Sequence, residues 1–177
     1  MGRGCERPRR GGRPLERAGA DLVLLCTITM QRVASAIEAA VEVPFVHLVH
    51  ATACSVVAVG ITTVGLLATR FTMEMDSFYR DRMRRHGIHV VVPPEPNRTT
   101  VHDVIYQELT RCRAEGSSRE EYRRIIAGLA RRGAQGVILD CTEITLLVGP
   151  GDSPRPDVRL HSHPCRDGRR TGPRRAV

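Results

Sequence analysis

The sequence predicts an α/β fold with parallel strands. From residue 18 to residue 152, short apolar runs of strand length alternate with segments that have helical spacing of apolar residues. Strands separated by helices of about ten residues or more pair in parallel. Hydrophobic residues make up 41% of the 177-residue chain, which is enough for a packed core. Ligands of such sheets bind at the carboxyl ends of the strands, so we expect the functional residues there.

The first half of this pattern contains three predicted strands. Residues 21–26 form an apolar run that is typical of a strand buried on both faces. Helical spacing follows over 31–40, and residues 44–49 indicate the second strand. A helix over 51–59 precedes the third strand at 63–68.

The middle of the chain predicts a helix and a fourth strand. Thr72 is a suitable N-cap for a helix that runs to Arg85. Gly87 ends this helix, because glycine adopts the left-handed conformation of a helix terminus most easily. Residues 88–92 then predict a strand that Pro93 stops.

Two helices and one strand complete the predicted core. Amphipathic spacing covers residues 100–113 and 118–132. Ser118 is followed three residues later by Glu121, a pattern that resembles a capping box. Residues 136–141 are the last predicted strand.

The positive charge of the protein belongs to its two ends. The net charge is +8, but residues 1–17 contribute +4 and residues 154–177 contribute +5. All 27 basic residues are arginine, aromatic residues are 3% and tryptophan is absent, which argues against a nucleic-acid partner. We predict a disordered Arg-rich head over 1–17 and a disordered Arg-rich tail over 154–177.

Targeting, membrane and metal signals are weak. The chain has no apolar signal-like segment before Leu22, so we expect a cytoplasmic location. Residues 51–69 carry no charge, but Gly60 divides them into a buried helix and a buried strand, and we expect no membrane partner. The six cysteines lack CxxC spacing and are interpreted as free thiols. His161, His163 and Cys165 have no second pair of ligands, so we expect no metal site.

Two predicted strands end in related cysteine turns. Leu-Leu-Cys-Thr occupies residues 24–27, and Leu-Asp-Cys-Thr occupies residues 139–142. The N-terminus of a following helix can lower the pKa of each thiol. Two thiols that face one substrate can perform one reaction well, since a thiolate removes a proton from carbon and a thiol returns one on the opposite side.

Three ordered motifs resemble those of the aspartate/glutamate racemase family. GADLVLLCTITM at 19–30 is similar to the first cysteine motif of its broad-specificity branch, which reads roughly GADxxxLCTNTMH. LLATRFTM at 66–73 resembles the family's LLGTRFTM, and GVILDCTEI at 136–144 resembles its GVILGCTEI. The resemblance covers residues 18–153.

The resemblance implies racemisation of aspartate, glutamate or a related amino acid without a cofactor. It implies two pseudo-symmetric α/β lobes, with parallel sheets flanked by helices, and a homodimer is compatible with it. Cys26 and Cys141 would form the acid/base pair. The residues that would bind substrate or tune the thiols are Thr27, Thr29, Thr69, Thr72, Thr142 and Glu143.

Four positions depart from the family pattern. Ile28 replaces Asn, Gln31 replaces His, His50 replaces Asp, and Asp140 replaces the Gly before the second cysteine. An acid beside Cys141 would raise the pKa of its thiol. Two alternatives therefore stay open: an inactive remnant or binding protein of the same fold, and a sister activity such as hydantoin racemisation.

The ends of the chain also differ from the family. We expect an incomplete first lobe over 18–49, truncated at its N-terminus, and a second lobe over 50–153. The tail lacks the family's ending and has no apolar periodicity. We hypothesise that a frameshift near codons 154–155 produced the tail, which the nucleotide sequence tests.

Overall fold

The computed structural model describes residues 12–26, 30, 33–74, 78–153 and 157–159. Helices and strands alternate along these residues. In chain order the elements are α1 (Gly12–Arg17), β1 (Val23–Leu25), α2 (Ala34–Glu38), β2 (Phe45–His47), α3 (Leu48–Ala58), β3 (Thr63–Leu67), α4 (Arg70–Glu74), α5 (Phe78–Arg85), β4 (His89–Val91), α6 (Asn97–Gln107), α7 (Gly116–Arg131), β5 (Gly136–Leu139), α8 (Ile144–Leu147) and β6 (Asp157–Arg159).

The strands form two parallel sheets. β1 pairs with β2, and a second sheet has the strand order β4-β3-β5-β6. Each strand pair is parallel. This confirms the predicted α/β class with parallel sheets flanked by helices. The sheets lie on either side of the predicted lobe boundary at residues 49–50, and the boundary itself stays a prediction.

The core lies around the central strands of the larger sheet. All four residues of β5 are buried, as are the last four of β3. The covering helix α7 buries Tyr122, Ile125, Ile126 and Leu129, which recur at helical spacing. Leu129 packs so closely on β3 that a Cβ added to Gly65 would lie 2.9 Å from its Cδ1. The glycine is thus required by the packing of a helix on a strand.

Glycines end two helices as predicted. Gly87 follows α5 and Gly133 follows α7, with φ angles of +74° and +95°. Both values are in the left-handed region, which residues with a Cβ rarely adopt. After these two turns the chain enters β4 and β5, which are the neighbours of β3 in the sheet.

The predicted burial of the first strand on both faces is wrong. Val23 is buried, but Leu24 is 46% exposed. Because successive side chains of a strand point to opposite faces, Leu24 occupies the other side of the sheet from Val23. Little of the described chain covers that side. The second strand is also shorter than predicted, since α3 begins at Leu48.

Both predicted helix caps are wrong. Thr72 lies inside α4, and its backbone N–H donates to the carbonyl of Thr69 at 3.0 Å. Ser118 lies inside α7, where its hydroxyl donates to Glu108 Oε1 at 2.8 Å. Glu108, ten residues earlier in the chain, thus accepts the hydrogen bond of the Ser118 hydroxyl that the local pattern assigned to a cap.

Two short elements lie within the Arg-rich ends of the chain. Residues 12–17 of the predicted disordered head form α1, and Glu16 accepts hydrogen bonds from the backbone N–H groups of Glu42 and Val43. Residues 157–159 of the predicted disordered tail form β6, paired with β5. The remainder of both segments lies outside the described residues. Within the described ranges, no helix combines the length and apolar character needed to cross a membrane.

Candidate active site

Cys26 lies at the carboxyl end of β1. It directly follows Leu25, which is paired with His47 of β2. The side chain is exposed and is not part of a disulfide. Thr27 and Thr29, which the resemblance assigned to the same turn, lie outside the described residues. The position agrees with the expectation that this cysteine borders the ligand-binding edge of a parallel sheet.

Cys141 lies at the carboxyl end of β5. Asp140 extends the pairing with β3, because its backbone N–H donates to the Leu67 carbonyl at 2.9 Å. The chain then turns into α8, and the Cys141 carbonyl accepts from the N–H of Ile144 at 3.1 Å. The thiol is half-buried at this turn.

Glu143 joins Cys141 and Thr142 in one hydrogen-bonded group. The Cys141 thiol donates to Glu143 Oε2 at 2.9 Å, and the Thr142 hydroxyl donates to the same oxygen at 2.9 Å. These hydrogen bonds lower the pKa of the Glu143 carboxyl. The side chain therefore presents a carboxylate to the sulfur.

The predicted lowering of the thiol pKa is wrong for Cys141. Burial, together with the hydrogen bond and negative charge of Glu143, raises the pKa of the Cys141 thiol to about 12. The following helix α8 has only four residues, so its dipole offers little compensation. At neutral pH the sulfur is held as a thiol.

Asp140 is a buried carboxyl group without a hydrogen-bond partner. Its residue is 8% exposed, and neither carboxyl oxygen makes a hydrogen bond to any part of the chain that the structure describes. Burial raises the pKa of Asp140 well above its usual value. Asp140 also contributes to the raised pKa of Cys141, as predicted, but less than burial and Glu143 do. The hydroxyl of Tyr79 is likewise buried and unpartnered, and its pKa is raised by burial and by Asp140.

Thr69 and Thr72 lie beyond the carboxyl end of β3. Leu67 of β3 pairs with Leu139 of β5, so the two strands end at the same edge of the sheet. Thr69 and Thr72 therefore follow the strand next to the one that leads to Cys141. Their hydroxyl oxygens are 3.5 Å apart. Thr69 is half-buried, and Thr72 is buried.

The structure therefore groups most of the predicted site at one edge of the larger sheet. Cys141, Thr142 and Glu143 are connected by hydrogen bonds, with the Thr69–Thr72 pair at the end of the neighbouring strand. Cys26 belongs to the other sheet. Among the described residues, no group of three or more His, Cys, Asp or Glu side chains is arranged to hold a metal ion.

A separate polar cleft was not predicted from the sequence. Its volume is about 340 Å³, and it is lined by Glu38, His47, His50, Arg82, Arg85 and His86. We call it the histidine cleft. The substitution of His50 for the family's Asp was visible in the sequence, but nothing local indicated that His86 lies beside it.

Comparisons with known proteins agree with the α/β fold described above. A profile of the Asp/Glu/hydantoin racemases matches residues 9–160. The chain is similar to a Yersinia pestis protein assigned as an Asp/Glu racemase, with 44% identity over 83% of this chain and a TM-score of 0.79. It is also similar to an aspartate racemase homologue from Pyrococcus horikoshii, with 31% identity over 84% of this chain and a TM-score of 0.78.

A more distant likeness concerns the fold alone. Aspartate racemase from Picrophilus torridus has 21% identity over 86% of this chain, is itself covered over 62% of its length and has a TM-score of 0.64. The present chain spans 64% of the Yersinia protein and 65% of the Pyrococcus protein. It thus corresponds to somewhat less than two thirds of each of these relatives.

Proposed function

The chain belongs to the Asp/Glu/hydantoin racemase family, and from that membership we propose that it inverts an amino acid at its α-carbon. Aspartate and glutamate are the first candidate substrates, because the 44% identical relative is assigned to the Asp/Glu racemases. The observation that carries the proposal is the placement of the two cysteines. Each follows the carboxyl end of a parallel strand, Cys26 on one sheet and Cys141 on the other.

The proposed reaction transfers two protons and changes no oxidation state. One cysteine, as thiolate, takes the α-proton, so a C–H bond breaks and an S–H bond forms. The other cysteine, as thiol, gives its proton to the opposite face of the carbanion, so an S–H bond breaks and a C–H bond forms. The two thiols supply both proton-transfer groups, and we therefore propose that no cofactor is needed.

The raised pKa of Cys141 indicates which starting role this cysteine takes. With its pKa raised to about 12, Cys141 begins as the thiol that returns a proton. In this direction Cys26 is the group that removes the α-proton. For the opposite enantiomer the roles are exchanged, and Glu143 disfavours that form because it places a carboxylate beside the Cys141 sulfur.

Hydroxyl groups at the site are proposed to stabilise the carbanion. Negative charge develops on the substrate carboxylate when the α-proton leaves, and preorganised donors lower the energy of that state. The candidates in the described chain are the hydroxyls of Thr69, Thr72 and Thr142. Removal of one such donor typically costs about 10²–10³ in rate.

Exchange of the α-proton in D₂O tests the proposal directly. Proton NMR would follow loss of the α-proton signal of aspartate and glutamate without added cofactor. We expect exchange by the unmodified protein, and its loss in Cys26→Ala and in Cys141→Ala. Cys112→Ala is the matched control, because Cys112 is an exposed free cysteine beyond α6. No exchange by a folded protein would favour the remnant or binding-protein alternative.

A hydantoin arm belongs in the same assay, because the matching family profile includes the hydantoin racemases. Exchange at C5 of a substituted hydantoin, with none for either amino acid, would assign the sister activity instead.

The homodimer and the cytoplasmic location stay predictions. Light scattering after gel filtration would measure the oligomeric state.

A further inference from the structure

The histidine cleft is formed by four regions of the fold. Glu38 ends α2, His47 ends β2, His50 lies in the first turn of α3, and Arg82, Arg85 and His86 lie in or just after the last turn of α5. None of these residues belongs to the hydrogen-bonded group around Cys141. The cleft therefore brings together basic side chains that have no role in the proposed proton transfer.

The imidazoles of the cleft are organised by short contacts. His50 Nδ1 lies 3.0 Å from His86 Nε2, so one ring donates a hydrogen to the other. His50 Nε2 lies 3.7 Å from Cys54 Sγ on the same helix. His47 Nε2 lies 3.3 Å from Glu38 Oε2. When His50 and His86 are both protonated, an N–H of each ring faces the other, and the pair then needs a negative charge between them.

The charge of the lining is positive. Among the described residues, the lining contains two arginines, Arg82 and Arg85, and one carboxylate, Glu38, whose Oε2 lies 3.3 Å from His47 Nε2. Burial lowers the pKa of Arg82, and the nearby charge of Arg85 lowers it further, as expected for two neighbouring cations. Guanidinium and imidazolium groups are the usual donors to oxyanions. The volume of about 340 Å³ is at the small end of ligand sites.

We propose that the histidine cleft binds a small dianion whose oxygens bridge the two arginines and the His50–His86 pair. Sulfate, or a short dicarboxylate such as succinate, has the required charge and size. This inference is independent of the proposed racemase activity, since it rests on different residues.

Binding is expected to strengthen as the pH falls. Burial holds the pKa values of His47 and His86 below the usual value for histidine, so both rings are mostly neutral at pH 7.5 without a ligand. A bound dianion favours the protonated rings, and each added imidazolium contributes a new donor. The charged or titratable groups that line the cleft with them are Glu38 from α2, His50 from α3, and Arg82 and Arg85 from α5, and Cys54 of α3 contacts His50.

Titration calorimetry with sodium sulfate at pH 5.5 and pH 8 tests the proposal. Sulfate stays dianionic across this range, so a change in affinity reports on the protein. With ionic strength held constant by sodium chloride, we expect sulfate to bind about tenfold more tightly at pH 5.5, the effect of about one pKa unit. Equal affinity at both pH values would overturn the proposal, as would displacement by chloride at equal ionic strength.

Three variants locate the binding. Arg85→Gln is expected to weaken sulfate about tenfold, which is the size of a lost charge-assisted hydrogen bond. Glu38→Gln is expected to strengthen it, because the repelling carboxylate is gone. Arg131→Gln, on the exposed end of α7, should leave it unchanged. Circular dichroism would show that each variant is folded. If Arg85→Gln matches Arg131→Gln, the cleft is not the binding site.

A parallel titration with succinate distinguishes an inorganic dianion from a dicarboxylate as the preferred ligand. Because succinate is partly protonated at pH 5.5, it is titrated at pH 8 only, and the pH dependence is tested with sulfate. Binding of both anions, or of either one, that is weakened in Arg85→Gln supports the dianion site and defines its shape preference. Failure of both anions refutes it. Because the readout is binding heat, the result does not depend on whether the protein racemises any substrate.

Discussion

Substitution of Glu143 by Gln is the sharpest perturbation of the Cys141 environment. Glu143 Oε2 accepts the thiol hydrogen at 2.9 Å, and its negative charge opposes formation of a thiolate. A glutamine side chain at this position has nearly the same shape but no charge, and its amide group can donate to a thiolate. We therefore expect the pKa of Cys141 to fall from about 12 in the Glu143→Gln variant.

The size of the fall follows from the distance. Two unit charges at 2.9 Å repel by about 6 kcal/mol at an effective dielectric constant of 20, and by about 1.4 kcal/mol in bulk water. One pKa unit corresponds to about 1.36 kcal/mol. For a half-buried sulfur we thus expect a decrease of at least about one unit. At a fixed pH below the midpoint, the thiolate fraction then rises at least about tenfold.

Alkylation by iodoacetamide as a function of pH measures the effect, because the thiolate is the reacting form. Mass spectrometry of the peptide containing Cys141 separates it from the other cysteines. Glu115→Gln is the matched control, since it removes an exposed carboxylate before α7. A Cys141 midpoint in Glu143→Gln that equals the midpoint of the unmodified protein would refute the electrostatic argument.

Two further predictions concern stability. Asp140→Asn should stabilise the protein at pH 8 but not at pH 4, because a carboxyl with a raised folded-state pKa destabilises the fold once the pH exceeds its unfolded value. Urea unfolding would show a smaller difference in unfolding free energy between the two pH values in the variant than in the unmodified protein. An unchanged difference would contradict this. Gly65→Ala should cost about 1–3 kcal/mol of unfolding free energy, because the new Cβ would meet Leu129. Gly116→Ala, where the added Cβ meets nothing within 4 Å, should change the unfolding free energy by less than about 0.5 kcal/mol. Equal effects of the two substitutions would contradict the packing argument.

Local sequence patterns identified the elements that depend on one short segment. β3 and β5 were predicted nearly to the residue, because continuous apolar runs of this length are typical of buried parallel strands. Gly87 and Gly133 marked helix ends through their own backbone conformation, which needs no distant partner. The resemblance, based on three motifs, led to the family that the profile then matched.

The errors concern side chains whose partners are distant in the chain. Ser118 had the local pattern of a capping box, but Glu108, ten residues earlier, holds its hydroxyl. Leu24 belongs to a run with the composition of a strand buried on two faces, but in the described part of the chain it is 46% exposed. A hydroxyl can form its hydrogen bond with many different partners, and an apolar side chain can be buried against many different neighbours. The sequence alone therefore does not select the partner.

The sequence by itself determined the fold class, the alternation of strands and helices from β1 to β5, and the two cysteines at strand ends. These follow from periodicity and from a few conformationally restricted residues. Only the tertiary structure decided the protonation of Cys141 and the existence of the histidine cleft. A thiol pKa depends on desolvation and on charges a few ångströms away, and His50 meets His86 only because α3 and α5 pack together.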